Sequence, residues 1–211
     1  MSNDRKNRVQ IIWAHPRVDS LTAKVVSAIK EEAAKLDIET SELDLYRRNF
    51  NPLITPVDEP DFQNPENKKY SAEVNNLAQE LQGHKSAIIV YPVWWYSLPA
   101  MLKGYIERVW NYGLLYGRGK SLPFSSIRWV ALVGGGVQRY EDEHWDKNME
   151  QILNEGIAKY CGVNDSSVTF LYNTLAYEEN TADLGAHHLE LISQARTVVQ
   201  ELHDGWKKDF I

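Results

Sequence analysis

Short strand-like stretches, the central one continuously apolar, alternate with amphipathic stripes along the chain, and their order predicts the architecture. Residues 9–14 (VQIIWA), 38–45, 86–91, 127–133 and 167–172 read as five strands. In the third, Ala87, Ile88, Ile89 and Val90 show no polar alternation, as expected of a parallel strand covered on both faces. Pro92 closes that ladder, because it has no N–H to give and restricts Tyr91 before it. Between the strands the period changes. Ser20 is an N-cap for a helix to about Leu36, with Leu21, Val25, Ala28, Ile29 and Leu36 inward. A second helix spans residues 68–82 and stops at Gly83. A third starts at Pro99, its stripe formed by Met101, Leu102, Tyr105, Ile106 and Val109 and opposed by Lys103 and Glu107. Residues 144–161 form a helix with Trp145, Met149, Ile152 and Leu153 inward. The last, residues 181–207, carries Leu191, Ile192, Ala195, Val198, Val199 and Leu202 on one stripe.

Five strands alternating with helices predict an α/β fold, a three-layer doubly wound five-stranded parallel sheet of order 2-1-3-4-5. Residues 1–211 are expected to form a single domain. Residues 46–67 fall outside this scheme: four prolines (Pro52, Pro56, Pro60, Pro65) interrupt a long aperiodic segment, which reads as a functional flap or a packing arm. In such a sheet, ligands bind at the carboxyl ends of the strands. The loops after strands one, three and four, holding residues 15–22, 92–98 and 134–144, therefore converge on one rim.

Composition narrows the classes. A net charge of −6 argues against a nucleic-acid partner, and Arg5, Lys6 and Arg8 make only a short basic tail. One cysteine, Cys161, excludes an intrachain disulfide and suits a reducing compartment. The run at residues 9–14 is too short for a secretory signal. The most apolar window, near residues 86–102, is broken by two prolines and too short to span a bilayer. The expected location is cytoplasmic. Seven tryptophans and eleven tyrosines point to aromatic surfaces at a pocket or interface.

The loops supply the chemistry. In the first, a helix amino terminus with free N–H groups, the hydroxyls of Ser20 and Thr22, and the charges of His15 and Arg17 make an anion site. In the second, Val93, Trp94, Trp95 and Tyr96 expose large rings that are costly unless something flat and apolar covers them. A flavin ring requires such walls, with backbone donors at its N5–O4 edge. In the third, Gly134, Gly135 and Gly136 let the backbone approach a ligand closely. Tyr140 and His144 follow, and donors of this kind would stabilise negative charge growing on the N1–O2 edge, as an oxyanion hole does. Other chemistries lack their signatures. Neither a Walker motif nor G-x-G-x-x-G follows the first strand, and no G-x-S-x-G occurs. Six positions after Cys161 stands Ser167 rather than the arginine of a low-molecular-weight phosphatase. His187 and His188 point about 100° apart on a helix and make a poor metal pair, and no zinc spacing occurs.

These residues resemble the NAD(P)H:quinone oxidoreductase family, the DT-diaphorase-like flavoproteins of flavodoxin-like fold. The family also includes the ancillary subunits of glutathione-gated potassium efflux systems. The matching pieces are AHPRVDSLTAK at residues 14–24, DLYRRNFNPLIT at 44–55, YPVWWYSLPAMLKGYIERVW at 91–110, VGGGVQRY at 133–140 and YCGV at 160–163. The resemblance implies a homodimer with a flavin at each of two interfacial sites. His15, Ser20, Leu21, Thr22 and Ala23 would contact the diphosphate region, and Pro92, Val93, Trp94, Trp95 and Tyr96 would line the ring. Gly134 and Gly135 would donate to O2, Tyr140 and His144 would be the catalytic charge-stabilising pair, and Tyr116 would close the substrate pocket from the other subunit. Three departures stand out. Leu132 and Val133 replace a Thr-Thr pair, the Tyr-to-His spacing is shorter than in mammalian members, and Trp94 replaces a common glutamine.

The implied activity is ping-pong, two-electron hydride transfer from NAD(P)H to quinones or similar flat acceptors. The alternative is a flavin-binding regulatory subunit of a potassium efflux system. FAD is favoured over FMN, because residues 46–67 resemble the arm of FAD-binding members. NADH and NADPH are not distinguished. No metal and no membrane insertion are expected.

Overall fold

The computed structural model describes residues 7–177 and 183–208. Arg5, Lys6 and the helix start expected at Thr181 lie outside them. Five strands, β1 (Arg8–Trp13), β2 (Glu39–Asp44), β3 (Ser86–Pro92), β4 (Ser126–Leu132) and β5 (Asp165–Leu171), form one parallel sheet in the expected order 2-1-3-4-5. Helices α1 (Leu21–Lys35) and α6 (Leu184–Lys208) cover one face. On the other lie α2 (Ala72–Glu80), α3 (Ala100–Val109) and the segment after β4: α4 (Val137–Asp142), α5 (Trp145–Glu150) and a π-helix (Gln151–Lys159). Among the described residues no helix is long and apolar enough to cross a membrane.

The period of two in the strands explains the layering. Val9, Ile11 and Trp13 of β1 join Val25, Ile29 and Val198 under α1 and α6, while Ile12 and Ala14 join Leu77, Leu102 and Trp129 on the opposite side. In each of β3 and β4 six of the seven residues are buried because both faces are covered, the exceptions being Pro92 at the end of β3 and Arg128 near the start of β4. Register then sets the rim: Trp13 pairs with Val90, Pro92 with Leu132, and Leu132 with Leu171. The chain leaves β1, β3, β4 and β5 along one edge of the sheet.

Several elements differ from expectation for identifiable reasons. Helix α2 begins after Ser71, whose Oγ accepts the N–H of Val74, rather than at Lys68. The stretch read as polar loop after the glycines contains α4. The expected helix over 144–161 splits, and its latter half bonds in i→i+5 fashion, which rotates the buried face. Met149 and Leu153 face inward, Trp145 is half-buried, and Ile152 is 59% exposed.

Residues 46–71 are the packing arm. Asp58, wholly buried, receives Arg108 Nη2 at 2.7 Å, the Ser71 N–H at 2.8 Å and the Ser71 hydroxyl at 3.0 Å. Asn111 Nδ2 donates to the Asp58 carbonyl at 2.6 Å, and Arg108 also reaches the Asn51 carbonyl and Glu73 (3.0 Å). Burial pushes the Asp58 carboxyl up, but the Arg108 and Ser71 hydrogen bonds and the Arg108 charge outweigh it and hold it below the usual carboxylate range. Arg108 therefore lies inside the core on α3, beside Gly104. A Cβ at Gly104 would stand 2.2 Å from the Pro52 carbonyl oxygen, so only glycine lets the arm lie this close.

Candidate flavin site

A cleft of about 430 Å³ opens at the rim where β1, β3 and β4 end, within the size range of small-molecule and cofactor sites. His15, Ser20, Leu21, Thr22, Pro92, Val93, Trp94 and Gly134 border it together. Ala23 does not; its N–H is taken by Ser20 Oγ at 3.1 Å as the helix cap. No acidic residue occupies the first turn of α1, so the open N–H groups of that turn face no competing negative charge from their own helix. Arg17 and Lys24 add positive charge at the cleft, partly offset by Asp19.

His15 is half-buried, with its ring centroid 6.0 Å from that of Trp94. Its Nδ1 lies 3.1 Å from the Arg17 N–H, which donates to it in the neutral ring. Burial foremost, then the Arg17 and Arg47 charges, holds its pKa below the ordinary histidine value.

The second loop is a two-residue reverse turn. Trp94 and Ser97 exchange N–H···O=C bonds of 3.1 Å each way. The two residues between them, Trp95 (φ 51°) and Tyr96 (φ 57°), both lie in the left-handed region. That turn normally carries Asn-Gly, and a bulky residue there is strained. Strain of this kind clusters at ligand-binding sites. Trp95 is 95% exposed, whereas Tyr96 stacks on Trp145 with centroids 4.6 Å apart. Among the described residues the N–H groups of Trp95 and Tyr96 meet no acceptor of the chain.

At the third loop the N–H groups of Gly134 and Gly135 are likewise open among the described residues, while the Gly135 carbonyl accepts from Asn173 N–H at 2.7 Å. Tyr140, on α4, is buried with its ring 5.9 Å from Tyr96 and 5.7 Å from Tyr172. Burial, then the neighbouring Tyr96, pushes its hydroxyl above the ordinary phenol value, so it remains a donor at neutral pH. His144 sits between α4 and α5 at φ 57°, exposed, its ring without a hydrogen-bond partner among the described residues. Tyr116 lies elsewhere, in a groove of about 470 Å³ beside Tyr160 (5.4 Å) and Trp110.

One wall of the cleft was not foreseen. Thr174, Leu175, Leu184 and His188 close it from the loop after β5 and the start of α6. The strand order carried the signal, since β5 ends on the same rim, but the loop has no glycine and no basic residue to draw attention. His188 Nε2 and the Thr174 carbonyl are 3.1 Å apart, which fixes that wall.

Comparisons with known proteins bear on the fold. The chain is 48% identical over 198 residues to an uncharacterized NAD(P)H oxidoreductase, YcaK, of Escherichia coli K12, covering 94% of this chain and 100% of that one. Among solved structures, an NAD(P)H:quinone oxidoreductase from Methanothermobacter marburgensis superposes with a TM-score of 0.78 at 22% identity, over 93% of this chain and 97% of that one. An FMN-dependent NADH-azoreductase from Bacillus anthracis in complex with FMN gives a TM-score of 0.65 at 17% identity, over 95% and 99%. At those identities the likeness shows the fold. With residues 7–195 matching the family described as flavodoxin-like fold, and five parallel strands in the order 2-1-3-4-5, the chain belongs to that family.

Proposed function

We propose that this chain is a flavin-dependent NAD(P)H oxidoreductase that reduces quinones or similar flat acceptors. The observation that carries the reading is the turn at Trp95 and Tyr96: a strained backbone holds aromatic rings and open N–H groups at the rim, next to a cleft that ends on a helix amino terminus. The residues present fit a flavin. Ser20, Leu21 and Thr22 at the start of α1, with His15, would hold its phosphate. Residues 92–96 would border the ring, and Gly134 and Gly135 would offer N–H groups to its O2 side. A flavin bound there would supply two-electron hydride chemistry between NAD(P)H and the acceptor. The chain's own contribution is orientation and charge stabilisation. Tyr140, kept protonated, would donate a hydrogen bond where the site gains negative charge. His144, exposed between α4 and α5, would be free to meet the incoming acceptor.

FMN is the better candidate occupant. The arm on which FAD rested is bound to α3 through Asp58 and Arg108 and contributes no residue to the cleft, and the azoreductase of the same fold carries FMN. Tyr116, in its separate groove, would reach a site only across a homodimer interface. The test is to denature purified protein, identify the released chromophore, and follow NADH and NADPH oxidation with a quinone. A colourless protein that takes up neither FMN nor FAD would refute the reading.

A further inference from the structure

The first loop is held in shape by a residue that does not border the cleft. Strand β2 ends at Asp44, whose Oδ1 accepts the N–H groups of Tyr46 (3.0 Å) and Arg47 (3.2 Å) and whose Oδ2 accepts Arg47 Nε at 2.6 Å. Clamped this way, the Arg47 guanidinium lies 5.1 Å above the Trp13 ring and 5.7 Å from that of Tyr46. Its two remaining nitrogens reach across to the neighbouring loop. Nη1 donates to the Pro16 carbonyl at 2.8 Å, and Nη2 donates to the His15 carbonyl.

Peptide geometry makes this grip consequential. In a trans peptide the carbonyl and the following N–H point in opposite directions. Drawing the Pro16 carbonyl toward Arg47 turns the Arg17 N–H away from it, and that N–H meets His15 Nδ1 at 3.1 Å. The bond sets the His15 ring, which stands against Trp94 at the cleft wall. One chain of contacts thus runs from Asp44 through Arg47 and the Pro16–Arg17 peptide to His15 and Trp94. Three acceptors at fixed angles suit the planar guanidinium fork, and an ammonium cannot match them together.

We propose that Arg47, clamped by Asp44, is the positioning residue for the phosphate end of the cleft: it fixes the loop and the His15 ring that meet the phosphate without touching the ligand itself. This rests on the flavin reading above. The experiment compares ligand-free wild type with Arg47→Met, which keeps the stem over Trp13, and Arg47→Lys. Each is titrated with FMN and with riboflavin, which lacks the phosphate, and amide hydrogen exchange is measured without ligand. Loss of charge-assisted bonds should weaken FMN binding by about tenfold or more in both variants. Riboflavin binding should hold within about twofold, the loop it does not need being the part disturbed, and the Arg17 amide should exchange faster in both. Full recovery of FMN affinity in Arg47→Lys would show that charge rather than the fork matters, and would overturn the proposal. Equal losses for FMN and riboflavin, or unchanged Arg17 exchange, would also overturn it. Tight wild-type FMN binding with unaltered variants defeats this assignment alone. A wild type that binds neither ligand defeats the flavin reading and takes the assignment with it.

Discussion

Replacing Trp95 with asparagine should make the protein more stable and less active. Trp95 sits at φ 51°, where an L-residue with a bulky side chain gives up about 1–2 kcal/mol relative to the right-handed region. Its indole is 95% exposed, so truncation forfeits little packing to offset that gain. Asparagine tolerates the left-handed region and is the preferred first central residue of this turn. Trp95→Asn should therefore stabilise the ligand-free protein by about 1 kcal/mol, a rise in Tm of about 2–4 °C for a chain of this length. Two controls order the series. Trp95→Gly relieves the same strain but loses about 0.5–1 kcal/mol to the freer unfolded chain, leaving little net change. Tyr96→Gly relieves φ 57° but removes the stack on Trp145 at 4.6 Å, worth about 0.5–1.5 kcal/mol, and should gain nothing. Urea denaturation of the four proteins gives the ranking, and steady-state kinetics with NAD(P)H and a quinone gives the cost, expected as a lower kcat/KM for the acceptor. A destabilised Trp95→Asn would mean that the indole packs against the chain. A stabilised variant with undiminished turnover would mean that the strain serves no site.

Three further outcomes follow from particular contacts. A methyl group at Gly135 would lie 3.5 Å from the Tyr140 ring, an ordinary contact at a residue whose φ is not positive; Gly135→Ala should keep its Tm and lose bound flavin on gel filtration, and full flavin retention would remove that backbone from the site. His84 is buried, with Nδ1 3.2 Å from the Leu81 carbonyl and Nε2 2.9 Å from Ser41 Oγ, and burial lowers its pKa from 6.5. The unfolded chain then binds the proton first as pH falls, so this contribution is complete above about pH 6.5 and lost below it. The urea midpoint should drop between pH 7.5 and 5.5, and His84→Gln should flatten the drop; an equal slope in both proteins would refute the assignment. Asp58→Asn leaves Arg108 buried with its charge only partly met by Glu73 at 3.0 Å, which should cost about 3 kcal/mol and expose residues 46–71 to limited proteolysis. A loss below about 1 kcal/mol would show that the arm is held by its apolar contacts alone.

The rim was legible because strand assignment and strand order suffice to place it. Continuous apolar runs at residues 87–90 and 129–133 are hard to read as anything but covered parallel strands, and parallel strands deliver their following loops to one edge. Ser20 was equally plain, its hydroxyl and the helix after it agreeing in sequence and in structure. Arg108 was not. It belongs to the α3 face shared with Gly104, one turn back, and that face is apolar only where the arm does not lie. The partner that neutralises it is fifty positions away along the chain, beyond the reach of any periodicity. The π-helix was hidden for a related reason: the pattern of Met149, Ile152 and Leu153 suits an α-helix, and nothing in it marks the wider winding of residues 151–159, which pack against β5.

The turn between β3 and α3 shows how a site can be half visible. Three aromatics in a row announced a surface wanting cover, because composition alone reveals that much. Their conformation could not be read, since Trp-Tyr is a poor sequence for a turn with two positive φ angles. Local preference and actual backbone disagree there, and they agree at Ser20, at Gly83 and along β1. A disagreement of this kind persists only where it is compensated, and an indole 95% exposed contributes little of that compensation from within the chain. If ring binding supplies it, flavin should raise the Tm of wild type more than that of Trp95→Asn at equal free concentration, because the variant lacks the indole that the ring would cover and binds it less tightly. Equal shifts in the two proteins would separate the strain from the binding and leave the turn without an energetic link to its ligand.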